Sequence, residues 1–134
     1  MAVYYSPNGT WAERSVSRVA STAGSQSKVL FALFTGPEAF PLMLGGDRTV
    51  EFLDLNGATL VRRSGVFGRR KKIQPMLCGV DMNDTSVVCG SVTGHLYEWN
   101  KANRRCDKQS RAHEGPVYAM SRDGTGLITG GKDG

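Results

Sequence analysis

AHEGPVYAMSRDGTGLITGGKDG, residues 112–134, is the stretch whose reading decides the fold. It runs as a strand-length apolar segment at 117–120, a turn, a second such segment at Leu127-Ile128-Thr129, and the Gly-rich turn Gly130-Gly131-Lys132-Asp133-Gly134. Successive side chains of a strand point to opposite faces, so Val117 and Ala119 serve one layer and Tyr118 and Met120 the other. A turn of this kind leads into a third strand, which the stretch does not contain. It therefore reads as the first half of a repeating unit.

Sliding this stretch backward tests for a repeat. Its end falls on Val87-Val88-Cys89-Gly90-Ser91-Val92-Thr93-Gly94 at an offset of 40 residues, and that earlier copy continues into His95-Leu96-Tyr97-Glu98-Trp99-Asn100. A further step of 45 residues brings Gly90 onto Gly45 in LMLGGDRTVEFLDL, with Leu53-Asp54 in the place of Trp99-Asn100. Spacings of this size match a propeller blade of four strands. The pattern predicts strands at 29–34, 40–45, 49–54 and 59–64, then 76–81, 86–91, 95–100 and 104–110, then 117–121 and 126–130. Ser6-Pro7-Asn8-Gly9 suits a tight hairpin turn, so residues 1–26 are expected to be the end of a preceding blade and a connecting loop. The remaining divisions are a blade at 27–66, a basic inter-blade loop at 67–74, a blade at 75–111, and the half blade at 112–134. The expected class is all-β, part of a β-propeller, with about two full blades between half blades.

Composition supports that class and narrows the rest. The chain has 134 residues, 17 of them Gly and 5 Pro, so turns are frequent and elements short. Hydrophobic content of 40% argues against pervasive disorder. The longest apolar run, VLFALF at 29–34, falls far short of the ~20 residues that cross a bilayer. No basic region followed by an apolar stretch opens the chain, so secretion has no support. Cys78, Cys89 and Cys106 form no CxxC pair and are read as reduced thiols. The net charge of +5 is uneven: residues 1–67 hold 6 basic and 5 acidic side chains, residues 68–134 hold 11 and 7. Much of the excess sits in Arg69-Arg70-Lys71-Lys72, with Arg62 and Arg63 just before it. Such a cluster favours an acidic partner, although a basic loop can also serve solubility alone.

With the repeat in place, the residues resemble a known family. Ala112-His113 stands where WD repeats usually carry Gly-His, and Trp99-Asn100 closes a strand as Trp-Asp does in those repeats. More narrowly, TVEFLDLNGATLVRRSGVFGRRKKIQPMLCGV (49–80), VVCGSVTGHLYEWN (87–100) and AHEGPVYAM with GLITGGKDG resemble the echinoderm microtubule-associated protein-like (EMAP-like) family. The likeness covers about residues 29–134, with Leu53 replacing a tryptophan and Asn100 an aspartate as departures. It implies a structural hydrogen-bonded chain of His113, Thr129 and Asp133 ending on a third-strand tryptophan, of which Trp99 is the example in the preceding copy. It also implies a non-catalytic interaction module whose partner is tubulin or microtubules, in the cytoplasm on the cytoskeleton. Arg69, Arg70, Lys71 and Lys72, with Arg62 and Arg63, are the candidate contacts, on a loop joining the outer strand of one blade to the inner strand of the next. The alternative is a WD-repeat scaffold of another cytosolic or nuclear complex, with the same loop on an acidic protein or RNA.

Catalytic readings fail on their own chemistry. His113 with Asp133 and a hydroxyl resembles a triad only until the structural chain explains the same spacing. Gly126 to Lys132 matches G-x-x-x-x-G-K, but Asp133 follows where a phosphate loop needs Ser or Thr, and the context is strand–turn–strand. His95 and His113 are lone, with no cysteine at ligand spacing, so neither metal nor cofactor is expected. Tyr97, Trp99 and Phe52 read as blade packing in preference to a base-stacking platform.

Propellers close with ~4–8 blades, so the repeat count predicts a piece of a longer ring. Alone, it would present open sheet edges. Size-exclusion chromatography should then show concentration-dependent association. A sharp monomeric peak with cooperative unfolding would contradict this.

Overall fold

A computed structural model describes residues 2–6, 9, 17–21 (backbone only), 27–36, 41–69 and 71–134. Among them the secondary structure is strand throughout. The first blade contains β3 (Val29–Phe34), β4 (Leu42–Gly46), β5 (Thr49–Asn56) and β6 (Thr59–Ser64). The second contains β7 (Met76–Asp81), β8 (Ser86–Ser91), β9 (His95–Asn100) and β10 (Cys106–Arg111), and β11 (Val117–Asp123) with β12 (Gly126–Gly131) begins a third. Each blade is an antiparallel meander with consecutive strands adjacent. This all-β arrangement is a partial β-propeller. The strands expected at 40–45 and 104–110 begin at Leu42 and Cys106. The second delay has a local cause: Arg104 adopts φ 59°, which breaks the extended backbone before β10 can start.

The N-terminal strands β1 (Ala2–Tyr5) and β2 (Ser17–Ser21) pair antiparallel. Residues 1–26 were expected to end a preceding blade. In the structure these strands instead extend the sheet of the first blade, through one parallel pair of Ser21 with Thr59. The free backbone edge of β6 is what makes that pairing available. Val3 also packs on the first blade's outward face with Leu42, Leu44, Leu53 and Leu60. The turn read at Pro7-Asn8 lies outside the described residues.

The alternation of side chains assigns each strand residue to one of two layers. On β5, Phe52 faces the second blade and Leu53 faces away toward Val3. The inter-blade layer joins Met43, Val50 and Phe52 of the first blade to Val87, Tyr97 and Trp99 of the second. Trp99 is fully buried, its ring edge-on to Phe67 at 4.9 Å and tilted to Phe52 at 6.3 Å. Leu53 and Trp99, aligned in the repeat, thus both point toward the preceding element. The smaller side chain is the one that sits in an aliphatic cluster with Val3, Leu42, Leu44 and Leu60.

Polar ties lock the blades where their strands end. Lys101 Nζ lies 2.5 Å from Asp81 Oδ1 and donates to the Thr35 carbonyl at 2.6 Å, joining the ends of β9, β7 and β3. Arg122 Nη1 donates to the Met82 carbonyl at 2.8 Å, tying the third blade to the second.

The second and third blades meet closely only because position 90 lacks a side chain. A Cβ on Gly90 would sit 2.7 Å from Val117 Cγ1 and 2.9 Å from Cys78 Sγ. Gly90→Ala should therefore cost about 1–3 kcal/mol through overpacking. Chemical denaturation checks this, and an unchanged midpoint would refute the close approach.

Candidate functional site

Two polar constellations and one cationic seam are the chemistry-bearing features. The first constellation closes the third blade. His113 Nδ1 is 2.7 Å from Asp133 Oδ1, and His113 Nε2 is 2.9 Å from Thr129 Oγ1. The Glu114 amide donates to Asp133 Oδ2 at 2.8 Å. That backbone donor, with His113 second, holds the Asp133 carboxyl below its usual range. The strand before this site is seated by Gly94, at φ 85°, whose carbonyl accepts from the amides of Ala112 and His113. A Cβ there would collide with the His113 carbonyl.

Trp99, the preceding copy's example of the third-strand tryptophan, lies outside this chain. Its indole Nε1 is buried with no acceptor among the described residues. The repeat offset explains why: Thr129 corresponds to Cys89, a buried thiol in the second blade. Burial pushes the Cys89 thiol well up, so it stays neutral and apolar in character.

The second blade has its own network, which sequence reading missed because it contains no histidine at the expected place. Gln74, buried before β7, donates from Nε2 to the Tyr97 hydroxyl at 2.6 Å and accepts from Thr93 Oγ1 at 2.5 Å. Tyr97 in turn donates to the Lys72 carbonyl at 3.0 Å. Burial raises the Tyr97 phenol, so it remains the neutral donor this contact needs. Thr93 occupies the repeat position of Asp133, and its one hydroxyl proton goes to Gln74, leaving His95 Nδ1 at 3.0 Å to donate to Thr93.

The cationic seam is built by the stretch following β6. Instead of projecting as a free loop, the described residues of this stretch, 65–69 and 71–75, lie against the second blade. Val66 N–H donates to the Arg104 carbonyl at 2.8 Å, and Cys106 N–H donates to the Val66 carbonyl at 2.9 Å, a parallel bridge of Val66 with Arg105. Phe67 is buried in the inter-blade core, and Lys71 Nζ donates to the Cys106 carbonyl at 2.5 Å. Burial pushes the Cys106 thiol up to about 11, with Lys71 opposing.

Of the expected contacts, Arg62 is committed elsewhere, its Nη1 3.1 Å from Glu51 Oε2. Arg63, Arg69 and Lys72 are exposed, Lys71 is half-buried, and Arg70 lies outside the described residues. The structure adds two arginines that the sequence reading passed over, Arg104 and Arg105. Their turn is ordered by Asn100 Oδ1, which accepts from the amides of Ala102 and Asn103 at 2.9 and 3.2 Å. Asn100 therefore keeps the acceptor oxygen of the aspartate it replaces. The signal for the pair was present as a basic doublet directly after a turn.

Among the described residues no group of three or more His, Cys, Asp or Glu could hold a metal, and no helix is long and apolar enough to cross a membrane. No family model matches the chain. Its relatives are named echinoderm microtubule-associated protein or echinoderm microtubule-associated protein-like. The mouse EMAP-like 2 protein is 33% identical over 126 residues, and the 77 kDa echinoderm microtubule-associated protein of Lytechinus variegatus is 29% identical over the same length. Both alignments cover 92% of this chain but only 19% of the relative, so the chain spans about a fifth of the proteins it matches. Among solved structures, the computationally designed Ika8 protein matches with a TM-score of 0.50 at 15% identity, over 92% of this chain and 49% of that one. That likeness speaks to the fold alone.

The lowered Asp133 carboxyl has a defined pH consequence. A depressed folded-state value contributes stability above the ordinary carboxylate range that is lost as pH falls through it. The melting difference between the chain and Asp133→Asn should be present near neutrality, begin to shrink as pH falls past 3.8, the usual value, and vanish only below the lowered folded-state value. A difference independent of pH would sink the assignment.

Proposed function

We propose that this chain is part of the propeller of an EMAP-like protein and acts as a non-catalytic module that binds tubulin or microtubules. The carrying observation is the exposure of Arg69 and Lys72 on a stretch whose backbone is anchored by Phe67, Gln74 and Tyr97, with Arg63 exposed near the end of β6 just before it. Cations held on a rigid frame lose little freedom on binding, and they attract acidic surfaces in a salt-sensitive way. The names of the relatives supply the partner class. The polar constellations serve the fold: each satisfies groups that turns would otherwise bury unpaired. The place of action is the cytoskeleton.

Microtubule co-sedimentation tests this reading. Wild-type chain should pellet with microtubules at low salt and less so at high salt. A folded variant with Arg69, Arg70, Lys71 and Lys72 all changed to Ala should pellet substantially less. Undiminished pelleting of that variant would remove the loop from the binding surface.

A further inference from the structure

We propose that the seam is a composite site in which Arg105 of the β9–β10 turn completes the cations of the preceding stretch, and that its ligand is an extended, carboxylate-rich peptide. This deepens the microtubule-binding reading and rests on it for the partner's acidity. It adds residues some 35 positions away in sequence.

An open groove of about 750 Å³ runs between the two segments, with Arg69, Lys71 and Arg105 on its walls. Arg69 and Arg105 form no ion pair among the described residues, and Lys71 is satisfied by a neutral carbonyl, so its charge is not cancelled. One carboxylate, Asp107, shares the lining, which leaves three cations against one anion. The spacing is fixed by backbone: the Val66–Arg104 and Cys106–Val66 hydrogen bonds clamp the two segments together. Behind them, Phe67 sits at 4.9 Å from Trp99 and cannot retract without opening the inter-blade core.

The chemistry favours a peptide over a nucleic acid. Single-stranded nucleic acids are held by aromatic stacking as well as charge, and among the described residues no aromatic side chain lines this groove. Phe67, Tyr97 and Trp99 are all buried. Arginine forks, by contrast, match carboxylates in bidentate geometry without any stacking partner. Asp107 gives the surface a built-in weakening element that an acidic ligand must oppose.

The test uses the intact chain and a fluorescein-labelled deca-glutamate peptide, followed by fluorescence anisotropy at low and moderate salt. Arg105→Ala should weaken binding by roughly tenfold, in line with the loss of a charge-assisted contact. Arg105→Lys should recover part of that loss, and Asp107→Asn should tighten binding. If Arg69→Ala weakens binding but Arg105→Ala does not, the composite site fails while the basic-loop reading stands. If neither variant changes affinity, both fail. Tighter binding of an equally long oligouridylate than of deca-glutamate would overturn the peptide as ligand.

Discussion

Everything else in this molecule depends on how the two complete blades meet. Trp99 enters the layer between them and finds Phe52 from one side and Phe67 from the connecting stretch. Phe67 belongs to neither blade's sheet, yet it is buried as deeply as a core strand residue. One aromatic contact thus performs two tasks. It fills the inter-blade layer, where a void would cost a few kcal/mol, and it fixes the backbone from which the cations project.

The repeat is kept through geometry more than through identity. Where the third blade uses His113, Thr129 and Asp133, the second uses Gln74, Thr93 and Tyr97. Both solutions satisfy the same requirement: the turn packs against its blade, and its polar groups need partners there. Asn100 in place of aspartate makes the same point, because the turn asks only for an acceptor oxygen. Cys89 in place of a hydroxyl is the exception, and its cost is visible in the Trp99 indole, which finds no acceptor among the described residues.

The cationic seam shows how a rigid frame turns scattered charges into a surface. Arg62 and Lys101 are drawn into ion pairs with Glu51 and Asp81 and become structural. Among the described residues Arg69 and Arg105 are not, and the Val66 bridge brings their segments side by side. Basic residues counted equally by composition therefore divide into two groups with different work. The division follows from which acidic neighbours the strand register supplies.

The sequence by itself determined most of the strands and the blade period, because those follow from local alternation and from spacing along the chain; at 117–120 a register shift between Val117 and Ala119 breaks the expected alternation of layers. It also marked His113, Thr129 and Asp133, whose separation is set within one hairpin. Only the tertiary structure decided that Trp99 stands apart from that chain, that Gln74 serves where histidine was sought, and that β1 and β2 extend the first blade's sheet. It alone decided that Arg105 lies beside Lys71. These depend on contacts between segments distant in sequence, and periodicity carries no information about which of two distant turns will share a backbone hydrogen bond.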